Sequence, residues 1–349
     1  FGERLTMGAA GIVILGGLVG VVFANSLAVF AAAVFLIGFC AASFALARHS
    51  FMTTRVPLHF RARALSLLGG TFRLGMFVGP FISAALLGIF GDESASIAFF
   101  AVCQVATILL VFLGPDPERA IAAPLTGAPR AVDAEDTGEP VTGSIPAVER
   151  TGVFRTMWRF RGVLARLGLA AASLSAVRSA RQVVLPLWGV SLGLDASTIA
   201  VVVGVSGAID FALFYASGQV MDRFGRLWAA LPAMILMGAG FFALSVTHEL
   251  DSASMWFAMF AAVLGVGNGL SSGILLPLGA DIAPPTDPAA FLGSWRTLTD
   301  GGGAIAPVLI SLVTAAISLP VAVAAMGVIA VAGAVGFVRW VPRYVPRTP

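Results

Sequence analysis

The chain has 349 residues, 11% of them charged and 58% hydrophobic, with 40 glycines. Its mean hydropathy is +0.95. So few charges cannot cover the surface of a soluble domain of this length, so soluble enzymes, disordered chains and disulfide-dense secreted domains are poor readings; the composition is that of a polytopic membrane protein. All 21 basic side chains are arginine, for a formal charge of +3. They sit between apolar runs rather than on a hydrophilic face, so nucleic acid is not an expected partner. Cys40 and Cys103 lie in apolar stretches and imply neither a disulfide framework nor a metal site.

In chain order, the opening FGERLTMG lacks the basic n-region of a secretory signal and reads as a point inside a longer protein. Apolar windows of roughly 20 residues, enough to cross a bilayer, fall at 6–24, 27–47, 64–89, 95–114, 167–191, 196–217, 228–247, 254–276, 296–316 and 319–338. They group as four spans, then 115–166, then six. With residue 1 inside, the inside segments 1–5, 48–63, 115–166, 218–227, 277–295 and 339–349 hold the arginines that lie outside the spans. The outside connections hold Asp92, Glu93, Asp195, His248, Glu249 and Asp251 and no arginine, which orients the set. Glycines at 16, 17 and 20, at 204 and 207, at 265, 267 and 269, and at 301–303 let membrane helices approach closely and mark a bundle interior. Residues 115–166 are rich in Pro, Gly and acid without apolar period and read as a cytoplasmic linker, ending in a basic amphipathic stretch at 155–166 suited to the membrane surface. The expected organisation is a half-bundle over 1–114, the linker 115–166, and a six-span half-bundle with a short cytoplasmic tail over 167–349.

The halves repeat. FGERL at the start parallels FGRLW at 224–228, each just before a span that leaves the inside. The run at 66–86 parallels that at 293–313, with Pro80 and Pro307 in matching places. Internal repeats of this kind build alternating-access transporters. Three motifs then carry a family resemblance. The loop Gly218-Gln-Val-Met-Asp222-Arg223-Phe-Gly225-Arg226 places a small residue at a helix end and a charged cluster in the headgroup layer. The run Gly70-Thr-Phe-Arg73-Leu-Gly75-Met-Phe-Val-Gly79-Pro80 sets Gly75 and Gly79 on one flat helix face before a proline that weakens the helix. Phe1-Gly2-Glu3-Arg4 matches the tail of the loop motif. The sequence resembles a major facilitator superfamily transporter, most like the drug:proton antiporter branch. The resemblance implies an all-α membrane protein with the major facilitator fold, two helical bundles and twelve helices, of which ten are expected here and the first two lacking. It also implies that the 218–226 motif gates the cytoplasmic side and that the 70–80 motif belongs to an antiporter. One family feature is missing: the run Val34 to Gly38 carries no arginine where the fourth family helix commonly has a proton-handling one.

No nucleophile–base pair or phosphate loop emerges, so no enzyme, cofactor or metal is expected. Ionisable groups at membrane depth are the functional candidates, because they are costly unless they face water or a partner. Asp210 lies roughly 10 Å inside its span by helical rise, as a proton or substrate site or as a structural ion pair. Arg178 and Arg181 share a helix face, beside Gln182, and are expected to bind an anionic group or to neutralise Asp210 or Asp300. Arg73 and Asp300 occupy comparable positions in the two halves, with Arg296 a turn from Asp300. Phe72, Phe211, Phe214 and Asn268 are candidate cavity residues. The reading is a monomeric secondary transporter that exchanges protons or another coupling ion for a hydrophobic or amphipathic small molecule in efflux by alternating access. Two alternatives stand: passage of a polar or anionic solute, and a truncated relative that senses or binds a partner without transporting. Arginine in place of lysine, with abundant Gly and Ala, suggests a GC-rich bacterial genome and a multi-pass protein of the plasma membrane.

Overall fold

The computed structural model describes residues 3–55, 58–114, 153–284 and 288–345. The linker expected over 115–166 falls largely outside them, although its end is helical from residue 153 on. Among the described residues every regular element is a helix: α1 (Glu3–Val22), α2 (Leu27–Arg55), α3 (Leu58–Phe90), α4 (Ser94–Leu113), α5 (Val153–Arg159), α6 (Arg161–Ser191), α7 (Ala196–Phe224), α8 (Arg226–Ser245), α9 (Ala253–Leu270), α10 (Leu275–Asp281), α11 (Pro288–Ala316) and α12 (Leu319–Tyr344). Ten stretches among the described residues are long and apolar enough to cross a membrane, matching the ten windows. One of them, Ala253–Asp281, is not a single helix. It unwinds at Ser271–Gly273 between α9 and α10, where Gly273 takes φ +79°, a conformation that a side chain would resist.

The chain divides into two compact units, residues 1–72 with 89–147, and residues 73–88 with 148–349. In the first, α1 packs on α2 and α4 through its small residues. A side chain at Gly17 would meet Ile37 at 2.7 Å, and one at Gly11 would meet Ile108 at 2.9 Å. The Arg4 guanidinium caps α4, donating to the carbonyls of Val111 (2.7 Å), Phe112 and Gly114 (2.9 Å), which the helix end leaves without intrahelical partners.

The second unit has a core in which Trp188, Phe241, Phe257, Phe291, Phe337 and Trp295 are almost wholly buried. Outward-facing valines, leucines and phenylalanines cover the rest, as lipid contact allows. Glycines set the helix spacing. A Cβ at Gly265 would stand 2.6 Å from the Ser206 carbonyl oxygen, at Gly267 3.1 Å from that of Ala233, and at Gly269 3.1 Å from that of Asp210, so α9 is pressed against α7 on one side and α8 on the other. Asp195 caps α7, accepting from the Thr198 N–H (2.8 Å) and hydroxyl (2.7 Å). Those bonds hold its carboxyl below the ordinary range, so the cap is intact at neutral pH and is lost only as pH falls through that lowered value.

The triple glycine of α11 separates cleanly into tight and open positions. A methyl at Gly302 would run into the backbone of Ala172 on α6, 3.0 Å from its Cα, whereas among the described residues nothing lies within 4 Å of one at Gly301. Gly302→Ala should therefore destabilise the protein by about 1–3 kcal/mol through overpacking. Gly301→Ala should leave stability unchanged or raise it by about 0.4–1 kcal/mol. Thermal unfolding of the two variants in detergent, side by side, checks the pair.

Candidate functional site

Four of the charged groups expected at membrane depth meet at one place in the second unit. Asp210 projects from the middle of α7. Around it stand Arg73 from α3, Arg178 and Arg181 from α6, and Asn268 and Ser272 from the end of α9 and the unwound segment. Asp210 Oδ2 accepts from Asn268 Nδ2 (2.6 Å) and lies 3.7 Å from Arg181 Nη1. Asp210 Oδ1 accepts from the Ser272 hydroxyl (3.2 Å) and lies 3.9 Å from Arg73 Nη1. Arg178 reaches the carboxylate only by relay, donating from Nε to Asn268 Oδ1 at 3.0 Å. Arg73 likewise donates to the Ser272 hydroxyl at 2.8 Å.

The chemistry explains the residue types. A guanidinium offers only donors and a carboxylate only acceptors, so a neutral group between them must do both, and an amide or a hydroxyl can. The same logic fixes the Asn268 amide, its oxygen toward Arg178 and its nitrogen toward Asp210. Ser272 is positioned by the break in the span, and Ser217 stabilises that break, donating to the Leu270 (2.7 Å) and Ser272 (3.1 Å) carbonyls that the unwound backbone frees. Aromatic rings close one flank: Arg73 lies 3.9 Å over the Phe214 ring, and Phe77 stacks on Phe211 at 5.8 Å. Three cations thus face one anion in a largely buried setting. The Arg181 side chain is 9% exposed, and its Nε has no hydrogen-bond partner among the described residues.

The other sequence candidates fall elsewhere. Asp300 does not join Arg178 or Arg181; it pairs with Arg296 one turn away at 3.3 Å, and both side chains are more than 60% exposed. Gln182 is exposed. Phe72 is 60% exposed and groups with the first unit. At the glycines of α3, among the described residues, nothing lies within 4 Å of a Cβ at Gly70, Gly75 or Gly79. The close approach between α3 and α7 is made instead by glycines of α7. A Cβ at Gly204 would stand 3.1 Å from the Phe81 ring, and one at Gly207 3.5 Å from the Met76 carbonyl oxygen. Pro80 lies within α3, which continues past it.

At the loop motif, Gly225 takes φ +91° and separates α7 from α8. Arg226 then pairs with Asp281 at the end of α10, at 2.8 Å. Arg223 lies 5.5 Å from the Phe224 ring centroid. The Asp222 side chain is outside what the structure describes. A Cβ at Gly218 would meet nothing within 4 Å among the described residues, while its neighbour Ser217 bonds the Leu270 carbonyl at 2.7 Å. Two residues escaped the sequence reading, Ser272 and Asp281. Asp281 carried no distinguishing signal, being one acid among several in the inside segments. The Ser-Ser-Gly run at 271–273 was the signal for the broken helix, since interruptions of apolar segments accompany binding sites in transporters.

Among the described residues ten stretches of membrane-spanning length and apolarity make a multi-pass membrane protein, and the second unit buries a cluster of charges within its spans. The chain belongs to the Major Facilitator Superfamily, which it matches over residues 1–307. No curated protein matches it in sequence. Its fold is similar to that of a POT-family transporter solved in complex with a thioalcohol-conjugated peptide, at TM-score 0.71 and 11% identity over 99% of this chain and 82% of that one. It is similar, too, to a POT-family transporter in complex with 5-aminolevulinic acid, at TM-score 0.72, 10% identity and coverage of 99% and 82%. A mutant of the peptide transporter POT in complex with sulfate gives TM-score 0.69 and 15% identity over 99% and 81%. The likeness at these identities is one of fold.

The relay at Asn268 is testable by changing its chemistry without its size. Asn268→Leu strands Arg178 and Asp210 together and should cost about 1–3 kcal/mol of stability. Asn268→Asp places a second carboxylate beside Asp210 while giving Arg178 an acceptor. It should retain more stability than the leucine variant in thermal unfolding; equal losses would show that the amide acts by packing alone.

Proposed function

We propose that this protein is a secondary transporter of small amphipathic organic anions, with Asp210 as the counter-ion that the cargo displaces. The observation that supports this is the convergence of Arg73, Arg178 and Arg181 on one carboxylate, with a guanidinium N–H left unpartnered. With Asp210 ionised the cluster carries two uncompensated positive charges, and with Asp210 protonated it carries three. An anionic cargo and a proton on Asp210 therefore favour each other's binding, which is the coupling an ion-driven carrier needs. Phe77, Phe211 and Phe214 offer the apolar part of the cargo a surface beside the arginines. The halves 1–114 and 167–349, joined by the linker 115–166, would alternate access by rocking. Arg226 and Asp281, with the 218–226 motif, would hold the cytoplasmic side in one state and release it in the other. We place the protein in a bacterial plasma membrane, as a monomer.

A second reading concerns direction and branch. The Gly70–Pro80 run resembles the antiporter motif, which favours proton-driven export of a hydrophobic or amphipathic compound over uptake. Both readings share the site and differ in the sign of coupling.

Proteoliposomes containing the full chain decide. A fluorescent amphipathic carboxylate should move when a proton gradient is imposed, and its methyl ester should not. Movement up a gradient opposed to that of protons identifies export, and movement with protons identifies uptake. Arg181→Gln should weaken carboxylate transport by about 10–100-fold, the worth of a hydrogen bond to a charged group. Asp210→Asn should abolish the dependence on the gradient. Equal carriage of the acid and the ester would remove the anion reading, and gradient-independent equilibration would remove coupling.

A further inference from the structure

We propose that the groove between α8 and α12 is a binding site for an anionic phospholipid of the surrounding membrane. Its phosphate would sit on Arg339 and Arg343 and one acyl chain would lie along the groove. The groove measures about 840 Å³ and is lined by Leu231, Ile235 and Phe242 of α8 and by Val331, Val335 and Val338 of α12, with Arg339 and Arg343 at one end. Its walls face outward: Val335 is 61% exposed and Ile235 54%.

Charge identifies the head of the occupant. The guanidiniums of Arg339, Arg343 and Arg166 lie 5.3, 5.2 and 5.0 Å from the centroid of the Trp340 ring. Arg166 is held there by a hydrogen bond to the Tyr344 hydroxyl at 2.9 Å. Among the described residues none of the three is within ion-pair distance of a carboxylate. Arg339 and Arg343 are four apart on one helix, a like-charge spacing that disfavours itself unless an anion lies between. Tryptophan ringed by arginine at the end of a span is the composition of the headgroup layer.

Length identifies the tail. From Arg343 to Val331 the groove runs twelve residues along α12, about 18 Å at 1.5 Å per residue. One leaflet of a roughly 30 Å hydrocarbon core is about 15 Å deep. A molecule with a phosphate at the arginines and an apolar chain of one leaflet's length fits both features, and basic pockets between membrane helices hold anionic headgroups in this way. Free phosphate satisfies the arginines and leaves the apolar walls without a ligand. A zwitterionic lipid fills the groove without compensating the charge.

The test reads Trp340 in the full chain, reconstituted in phosphatidylcholine nanodiscs. Phosphatidylglycerol with brominated acyl chains is titrated in, and brominated phosphatidylcholine serves as the comparison. Trp340 emission is the difference between the wild type and Trp340→Phe. Quenching by the anionic lipid should reach half-effect at a concentration on the order of tenfold lower than for the zwitterionic one. The double variant Arg339→Gln with Arg343→Gln should abolish that preference. Val335→Phe, which fills the groove and keeps both arginines, should weaken it. Inorganic phosphate in the buffer should leave it unchanged. Equal quenching by the two lipids overturns the proposal, as does a preference that survives the double variant or is displaced by phosphate. Should the double variant not fold, Val335→Phe and the phosphate competition on the wild type carry the decision.

Discussion

Everything around α6, α7 and α9 depends on how four ionisable side chains are held inside a membrane-spanning bundle. On insertion scales each Arg or Asp at the centre of a span costs about 2.5–3.5 kcal/mol. Burying Arg73, Arg178, Arg181 and Asp210 separately would be prohibitive; burying them together makes each the other's solvent. The arrangement is asymmetric, three cations to one anion: Asn268 relays the single carboxylate to Arg178 and Ser272 relays it to Arg73, while Arg181 faces it directly. Without Asn268 the Arg178 Nε–H would lose the acceptor it has in the cluster.

The relay in turn requires the break in the span Ala253–Asp281. A continuous helix would direct the Leu270 and Ser272 backbone carbonyls into its own ladder. Here the backbone unwinds, Gly273 turns it, and Ser217 takes up two freed carbonyls. The approach needed for that bond is close, and it is permitted by the glycines at 265 and 269, which leave no side chain between α9 and α7. The sequence of small residues, the helix break and the charge cluster are thus one construction.

Much of the architecture could be read in advance. Among the described residues the ten windows became ten helical stretches of membrane length, one of them broken, because an apolar run of that length has few other stable states and hydropathy is a one-dimensional property. That Asp210, Arg178 and Arg181 would need partners was also legible, since charge at membrane depth is costly wherever it points. Which partners they would find was not. Whether Arg178 faced Asp210 or Asp300 depends on helix rotation and crossing, which no local pattern encodes, and Ser272 looked like any serine near a glycine. Nor does a glycine say which helix comes close: a small residue permits approach but does not require it, and the approach between α3 and α7 is made from the α7 side by Gly204 and Gly207.

The distances within the cluster carry a last implication. An arginine and an aspartate that exist only to cancel one another usually meet in a direct, often bidentate, charge-assisted hydrogen bond shorter than 3 Å. At Asp210 the short bond comes from a neutral amide, and the guanidiniums of Arg181 and Arg73 stand off at 3.7 and 3.9 Å. Standing off weakens the pairing but leaves guanidinium N–H groups uncommitted, as the unpartnered Arg181 Nε shows. The contrast within the same unit is the Arg226–Asp281 pair, in direct contact at 2.8 Å. A contact that fastens two helix ends gains from being tight. A cluster that stands off is held more loosely, and that looseness is what the proposed exchange of Asp210 for an anionic cargo would use.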